Sequence, residues 1–297
     1  MQKLNITENL DMSRIIYGMW RLGDDTNTSA KHVQAKIETC LEQGITTFDQ
    51  ADIYGDYASE EILGAALKQA PQLRDSMQII TKCDIMLTSD KYPNRRVKYY
   101  DTSAAHITAS VENSLRVMNI DQIDMLLLHR PDPLMDAAET GAALDDLITS
   151  GKIKSAGVSN FKPHDCSLLL TFMNQPLVAN QIELSLLENS ALTNGDLAFM
   201  QECGIAPMAW SALAGGALFA PENATLLDNL ARIGADHGID ASAVAVAWLL
   251  AHPAKIMPVL GTNNLDRIAK LSDATRMDMD RETWFELYEI ANGHEVA

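Results

Sequence analysis

Four side chains able to take part in proton transfer lie at or just after short apolar runs of the sequence. Asp49 ends the run ITTFD, Lys82 ends QIITK, His129 ends DMLLLH, and Tyr54 follows Asp49 by five residues. A free phenol has a pKa of about 10, and a nearby ammonium favours its phenolate form. An imidazole can hydrogen-bond the same substrate oxygen, and a carboxylate keeps a buried lysine charged. Together, these four side chains would form a tunable proton donor for a carbonyl oxygen.

Each of the four residues also has a simpler structural interpretation when it is considered alone. Asp49 is typical of a solvated strand end, Tyr54 of a pocket wall, and His129 of a hydrogen-bonded core histidine. Lys82 is compatible with a surface position or with a Schiff-base lysine. The joint pattern favours proton transfer, and a reduced nicotinamide would then supply the electron pair. No strand end indicates a metal cluster, a GxSxG elbow or an activated cysteine, so no metal is predicted.

These residues belong to a pattern in which eight apolar runs alternate with amphipathic stretches of helical periodicity. The runs are IIYGMW (15–20), ITTFD (45–49), QIITK (78–82), DMLLLH (124–129), IKSAGVSN (153–160), LVANQIE (177–183), IAPMAW (205–210) and IMPVLG (256–261). Near-continuous apolar runs are typical of parallel strands that are buried on both faces. Eight such strands with helices between them predict an α/β fold, a (β/α)8 TIM barrel that forms a single domain over residues 1–297. The alternative is an open doubly wound sheet, which usually carries a Gly-rich dinucleotide turn, and no GxGxxG occurs here.

The C-terminal ends of the strands are where enzymes with this barrel place their active sites. Every run ends in a group that can donate a hydrogen bond, accept one or stack on a ring. Besides the four residues above, these ends hold Trp20, Ser159, Asn160, Gln181, Trp210, Ser211, Gly261 and Thr262. Trp20 is a candidate for the substrate pocket. The segment 83–101 is typical of a solvated basic loop, and loops of this length often act as lids.

The composition restricts the classes of partner that this protein can have. The 297 residues carry a net charge of −17, which argues against general affinity for nucleic acid or anionic membranes. No apolar run is long enough for a membrane span, and the first residues have no signal-peptide core. Four separated cysteines indicate neither a disulfide framework nor a zinc site. The expected location is therefore the cytoplasm, and the expected partner is a small molecule; the sequence does not predict an oligomeric state.

Four motifs resemble those of the aldo-keto reductase superfamily, in particular its bacterial NADP-dependent oxidoreductases, over nearly the whole chain. They are FDQADIYGDYASEEILG near the start, Lys82 at the end of the third run, LLLHRPD at 126–132, and GVSNF at 157–161 followed by NQIELSLL. The resemblance implies a (β/α)8 barrel that binds NADPH in an extended form without a Rossmann domain. It also implies the reversible reduction of aldehydes or ketones to alcohols.

The resemblance also implies a role for each matching residue. Tyr54 corresponds to the general acid, Lys82 to the cation that lowers its pKa, Asp49 to the partner of that lysine, and His129 to the residue that orients the substrate carbonyl. The implied cofactor contacts are Ser159, Asn160 and Gln181 for the nicotinamide carboxamide, Trp210 for stacking on its ring, and Ser211, Leu213 and Gly215 for the pyrophosphate. Gly261, Thr262, Asn263 and Arg267 correspond to the segment that holds the adenosine 2′-phosphate.

The 2′-phosphate segment departs from the family pattern. Many members have a lysine at the position of Gly261 and a Glu-Asn pair at the positions of Lys270 and Leu271. The start of a helix favours an anion, and an arginine can pair with a phosphate in a forked geometry. Binding of NADPH rather than NADH would therefore depend largely on Arg267.

Two other functions remain open from the sequence. One is a lyase or aldolase that uses Lys82 as a Schiff base, with Asp49 and Tyr54 moving protons. The other is a non-catalytic regulatory protein that binds NADPH, as some members of the superfamily are. The physiological substrate is not predicted.

Overall fold

The computed structural model describes all 297 residues and contains twelve β-strands. In chain order they are β1 (Lys3–Thr7), β2 (Leu10–Ser13), β3 (Ile16–Gly18), β4 (Thr47–Asp49), β5 (Gln78–Cys83), β6 (Ile85–Met86), β7 (Tyr99–Tyr100), β8 (Met125–Leu128), β9 (Ala156–Ser159), β10 (Leu177–Glu183), β11 (Ala206–Trp210) and β12 (Met257–Leu260). Eight of them close into a parallel barrel in the order β10-β11-β12-β3-β4-β5-β8-β9. Each barrel strand lies within or across one of the eight predicted runs, so the prediction of a (β/α)8 barrel is confirmed and the open doubly wound sheet is excluded.

Eleven α-helices surround the barrel, and short 3-10 turns connect several of them. They are α1 (Ala30–Glu42), α2 (Tyr54–Tyr57), α3 (Ser59–Gln69), α4 (Ala104–Met118), α5 (Ala137–Thr149), α6 (Pro163–Phe172), α7 (Asp196–Cys203), α8 (Ala224–His237), α9 (Ala241–Leu250), α10 (Leu265–Ile268) and α11 (Arg281–Asn292). The helix ends follow the local sequence: Ser103 accepts a hydrogen bond from the His106 backbone N–H at the start of α4, and Gly44 has a φ of +78° just after α1.

The N-terminal end of the barrel is closed by a hairpin that the sequence analysis did not identify. Strands β1 and β2 pair in antiparallel fashion, and Leu10 and Met12 join the apolar cluster inside the barrel. That cluster includes Ile16, Met125 and Met208 from three different barrel strands. Because the interior is filled with side chains at this end, a substrate can enter only at the opposite, C-terminal end.

The segment after β5 is an ordered loop that folds onto the start of α3. Strands β6 and β7 pair with each other at the two ends of the loop. The Tyr57 hydroxyl accepts hydrogen bonds from the Leu87 backbone N–H at 2.9 Å and from Arg95 Nη1 at 2.7 Å. The Arg95 guanidinium also lies 3.8 Å from the ring centre of Tyr92. The loop therefore forms one wall of the C-terminal mouth, and its role as a lid stays a prediction. None of the eleven helices is both long and apolar enough to cross a membrane.

Candidate active site

Lys82 is the centre of a buried polar cluster at the C-terminal mouth of the barrel. Its side chain is fully buried, and its ammonium donates hydrogen bonds to both carboxylate oxygens of Asp49 at 2.7 Å. The same ammonium lies 2.9 Å from the Gln50 carbonyl oxygen and 2.8 Å from the Tyr54 hydroxyl oxygen. Since the Tyr54 oxygen accepts from Lys82, its own proton is free to point into the mouth.

Tyr54 reaches this cluster through a compact turn between β4 and α3. Three consecutive residues after it, Gly55, Asp56 and Tyr57, have positive φ values of 59°, 52° and 67°. A side chain at position 55 would place its Cβ 3.0 Å from the Gly23 Cα. The turn therefore requires glycine at this position both for its left-handed backbone and for the close approach of the segment after β3.

His129 faces Tyr54 across the mouth as a neutral imidazole. Their ring centres lie 5.9 Å apart with an interplanar angle of 75°. Burial, reinforced by the positive charges of Lys82 and Arg130, holds the pKa of His129 well below its usual range. The Nδ1 atom is buried without a hydrogen-bond partner. A neutral imidazole of this kind can hydrogen-bond an uncharged substrate oxygen without adding a second positive charge to the site.

The Tyr54 phenol keeps its proton at neutral pH. Burial and the negative charge of Asp49 raise the pKa of Tyr54 well above its usual value, and Arg130 opposes this rise. This direction is opposite to the lowering expected from a neighbouring lysine. The physical reason is that burial disfavours the charged phenolate more than the ammonium favours it, and that the Asp49 carboxylate, which pairs with Lys82, adds a negative charge beside the phenol. Burial lowers the pKa of Lys82 itself, and Asp49 counteracts that change.

A chain of hydrogen bonds connects the predicted nicotinamide contacts. Trp210 Nε1 donates to Asn160 Oδ1 at 2.9 Å, and Asn160 Nδ2 donates to Ser159 Oγ at 2.8 Å. Ser159 Oγ in turn donates to the Gln181 carbonyl oxygen at 2.9 Å. Gln181 Nε2 donates to Asp49 Oδ1 at 2.9 Å, which joins this chain to the cluster around Lys82. The structure thus brings these four residues together with the proton-transfer residues, and the half-buried Trp210 indole is held in a fixed orientation.

The loop after β11 turns sharply where the pyrophosphate contacts are predicted. Ser211 and Ala214 have φ values of +52° and +50°, and Gly215 has +62°. A Cβ at position 215 would meet no other atom within 4 Å. Gly215 is exposed, and Leu213 lies within the same turn.

Gly261 packs directly against the end of β3. A Cβ at this position would lie 2.8 Å from the Gly18 carbonyl oxygen. A lysine, which many aldo-keto reductases have here, would therefore require the two strands to move apart. Glycine at position 261 is compatible with this close approach.

The side chain of Asn263 is already occupied by contacts within the protein. Its Oδ1 accepts a hydrogen bond from the buried Lys36 ammonium at 2.9 Å, and its Nδ2 donates to the Arg21 carbonyl oxygen at 2.6 Å. Lys36 also pairs with Asp25. Asn263 thus ties the segment after β12 to helix α1 and to the segment after β3, which leaves its amide one N–H and one lone pair for a ligand. The exposed Arg267 makes no side-chain hydrogen bond or ion pair, while Thr262 Oγ1 accepts from the Asn264 backbone N–H at 3.3 Å.

Trp20 lies at the rim of the mouth rather than inside it. Its side chain is 60% exposed, and the Arg21 guanidinium lies 5.3 Å from its ring centre. Two further residues of the mouth were not identified from the sequence: Arg130 directly follows His129, and Glu183 is the last residue of β10. Their signal was their position at strand ends, the same signal that identified the other candidates.

Comparisons of sequence with known proteins show the family of this chain, and a comparison of structures shows its fold. The model of the Aldo/keto reductase family matches residues 14–292. A 6-dehydroglucose reductase of Agrobacterium fabrum is 60% identical over 297 residues, which cover 100% of both chains, and a protein of the same name from Novosphingobium aromaticivorans is 34% identical over 96% of this chain and 93% of its own. The crystal structure of an aldo-keto reductase from Klebsiella pneumoniae in complex with NADPH has the same fold, with a TM-score of 0.82, 22% identity, and coverage of 98% of this chain and 95% of its own.

Proposed function

Because the chain belongs to the aldo/keto reductase family, we propose that it uses NADPH to reduce an aldehyde or ketone to an alcohol, with Tyr54 as the proton donor. The observation that carries this proposal is the protonated Tyr54 hydroxyl, held at 2.8 Å by the Lys82 ammonium and facing His129 at the mouth. A carbonyl oxygen that approaches Tyr54 and His129 would meet two hydrogen-bond donors. This geometry suits an oxygen that gains negative charge during the reaction.

The relatives support an aldehyde as the substrate. Two of them, at 60% and 34% identity, bear the name 6-dehydroglucose reductase. 6-Dehydroglucose carries an aldehyde at the end of a hydroxylated carbon chain. We therefore choose this sugar aldehyde as the first substrate to assay.

The mouth offers groups that fit a nicotinamide dinucleotide phosphate. When bound, NADPH supplies the hydride that reduces the carbonyl carbon. Asn160 fixes the Trp210 indole so that a flat ring can stack on it, and Ser159 and Gln181 lie beside the same position. Of the residues assigned to the 2′-phosphate, Arg267 has the only charged side chain, and it has no partner within the protein. It therefore supports a preference for NADPH.

Four residues of the site have separate roles in the proton transfer. Tyr54 donates its proton to the carbonyl oxygen, and His129 orients that oxygen by a hydrogen bond. The Lys82 ammonium stabilises the phenolate that Tyr54 becomes. Asp49 keeps Lys82 charged in a buried site, and the hydrogen bond from Gln181 fixes the carboxylate.

The alternative in which Lys82 forms a Schiff base receives little support from the geometry. A Schiff-base lysine needs a free, uncharged amine that faces the substrate. The Lys82 nitrogen instead contacts three residues of the protein and has a carboxylate beside it. These contacts favour the charged form, which has no lone pair for attack on a carbonyl.

The test is the variant Tyr54→Phe, which removes one hydroxyl from the site. We expect kcat for aldehyde reduction to fall at least about 100-fold, because general acid catalysis typically contributes this much or more. The Kd for NADPH, measured by quenching of protein fluorescence, should change less than about threefold. Tyr288→Phe is the matched control, because Tyr288 lies on α11 and its hydroxyl makes no hydrogen bond within the protein. Turnover of Tyr54→Phe close to that of the control would exclude Tyr54 as the proton donor.

A further inference from the structure

Arg130 places an unpaired positive charge over the mouth of the barrel. Its guanidinium carbon lies 5.6 Å from the ring centre of Trp210. The side chain forms no ion pair with any carboxylate and donates no hydrogen bond within the protein. The positive charge of Arg130 lowers the pKa of both Tyr54 and His129. At Tyr54 it opposes the larger effect of burial, whereas at His129 it acts in the same direction as burial. The five N–H donors of this guanidinium are therefore available to a molecule in the mouth.

The backbone of Arg130 is held by a strained residue. Asp84, the residue after β5, has a φ of +95° and is fully buried. Its Oδ2 accepts a hydrogen bond from the Arg130 backbone N–H at 3.2 Å, and its Oδ1 has no partner. A left-handed aspartate whose buried carboxyl group has one oxygen without a partner is costly, and such strain concentrates at functional sites. The hydrogen bond to Asp84 thus holds the backbone from which the Arg130 side chain extends.

Glu183 supplies an acceptor at the same opening, at the end of β10, which is separated from β8 by the single strand β9. It stands two residues after Gln181, so both side chains leave the same face of β10, and the Gln181 amide reaches Asp49 in the centre of the mouth. In the register of the sheet, Glu183 lies beside Trp210. The Glu183 carboxylate forms no ion pair and makes no hydrogen bond. Burial and the neighbouring Glu188 raise its pKa, and Arg130 opposes that rise. Both side chains belong to residues that border Trp210, because the Arg130 guanidinium lies over its ring and Glu183 pairs with it in the sheet.

We propose that Arg130 and Glu183 bind the hydroxyl groups of a polyhydroxylated aldehyde whose carbonyl lies between Tyr54 and His129. This inference rests on the proposed function and adds the residues that recognise the substrate. A guanidinium can only donate hydrogen bonds and a carboxylate can only accept them, whereas a hydroxyl group does both. A substrate with hydroxyls beside its carbonyl therefore satisfies both side chains. An anionic substrate would pair with Arg130 but would be repelled by Glu183.

The experiment compares three aldehydes that differ in the groups next to the carbonyl. Glyceraldehyde carries two hydroxyls, propanal carries none, and succinic semialdehyde carries a carboxylate. Initial rates of NADPH oxidation give kcat/KM for the wild-type protein, Arg130→Met and Glu183→Gln. Arg281→Met is the matched control, because it removes an exposed arginine at the start of α11. The Kd for NADPH and the Tm of each variant verify that the cofactor site and the fold are intact.

We expect the wild-type protein to favour glyceraldehyde over propanal. Arg130→Met should lower kcat/KM for glyceraldehyde by roughly 10- to 100-fold, the usual effect of losing a hydrogen bond to a charged group, and that for propanal by less than about threefold. Glu183→Gln should lower kcat/KM for glyceraldehyde by a smaller factor. Arg281→Met should leave kcat/KM unchanged for all three aldehydes.

Three results would overturn the inference in different ways. An equal loss for glyceraldehyde and propanal in Arg130→Met would mean that the arginine acts on Tyr54 or on the fold rather than on the hydroxyls. A wild-type preference for succinic semialdehyde that Arg130→Met abolishes would mean that the site selects an anion. If the wild-type protein oxidises NADPH neither with any of the three aldehydes nor with 6-dehydroglucose, the proposed function is refuted, and the inference with it.

Discussion

The ion pair between Lys82 and Asp49 makes a strong prediction about stability. Both side chains are almost fully buried, at 0% and 3% exposure, and the nitrogen lies 2.7 Å from the carboxylate. Removing one partner of a buried pair leaves the other charge without compensation, which costs about 3–5 kcal/mol. The entropy of unfolding is about 2.1 cal/mol/K per residue, which amounts to about 0.6 kcal/mol/K for this chain. Lys82→Met should therefore lower Tm by about 5–8 °C, as measured by circular dichroism.

A matched control and a double variant separate burial from the mere loss of a lysine. Lys152 forms an ion pair of similar length, 2.6 Å, with Glu112, but the two side chains are 37% and 56% exposed. Lys152→Met should lower Tm by less than about 2 °C, because exposed pairs contribute at most about 1 kcal/mol. The double variant Asp49→Asn with Lys82→Met removes both charges and retains an acceptor for the Gln181 amide. It should be more stable than the sum of its two single variants predicts.

The reasoning would be refuted by either of two results. A Tm of Lys82→Met within about 2 °C of the wild type would mean that water or a rearrangement compensates the Asp49 carboxylate. Strict additivity in the double variant would mean that Asp49 and Lys82 do not depend on each other. In both cases the assignment of Asp49 as the residue that keeps Lys82 charged would be wrong.

Three other predictions address the cofactor, the pH dependence and a buried acid. Arg267→Ala should raise the Kd for NADPH at least about tenfold and change the Kd for NADH by less than about threefold. Both constants are measured by fluorescence titration, with Arg281→Ala as the control. Equal weakening of the two cofactors would mean that Arg267 does not contact the 2′-phosphate. The kcat/KM for reduction should be constant between about pH 6.5 and 8, because the pKa of Tyr54 is raised and that of His129 is lowered. It should fall only above about pH 10, as the phenol loses its proton. A fall centred near neutral pH would contradict these directions of the two pKa shifts. Burial and the neighbouring Glu60 raise the pKa of Asp52 above its unfolded value of 3.8, so this carboxyl destabilises the fold increasingly as pH rises from that value through its folded pKa. Asp52→Asn should therefore raise Tm at pH 8 and have no stabilising effect near pH 4. A gain in Tm that does not depend on pH would mean that ionisation of Asp52 is not what destabilises the fold.

Local sequence patterns were sufficient to predict the barrel and the positions of the proton-transfer residues. Each strand is a short apolar run, and the residue that ends a run must lie at the C-terminal mouth once the strands are parallel. Asp49, Lys82 and His129 are therefore placed near one another by the alternation of strands and helices alone. The hairpin of β1 and β2 escaped prediction because none of its residues Lys3–Thr7 is fully buried, and only its contact with the barrel interior identifies it as a plug.

The pairing of individual side chains was decided by the tertiary structure. The Gln181 amide donates a hydrogen bond to Asp49, which is 132 positions away in the sequence. The Lys36 ammonium donates one to Asn263, which is 227 positions away. No periodicity links such distant positions, so the sequence did not reveal that the Asn263 amide is already used. Arg130 likewise stands beside His129 in the sequence, but only the folded mouth brings its guanidinium near Trp210 and leaves it without a partner.

The residue types determine which chemistry is available, and the packing determines the protonation states in which it operates. A tyrosine, a lysine, an aspartate and a histidine at strand ends already indicated proton transfer to a carbonyl oxygen. The directions of their pKa shifts depend on burial and on the distances between charges, which are properties of the folded chain. For this reason the sequence alone predicted the participants, while the folded structure supplies the burial that raises the pKa of Tyr54 and lowers that of His129 and so favours the uncharged form of both.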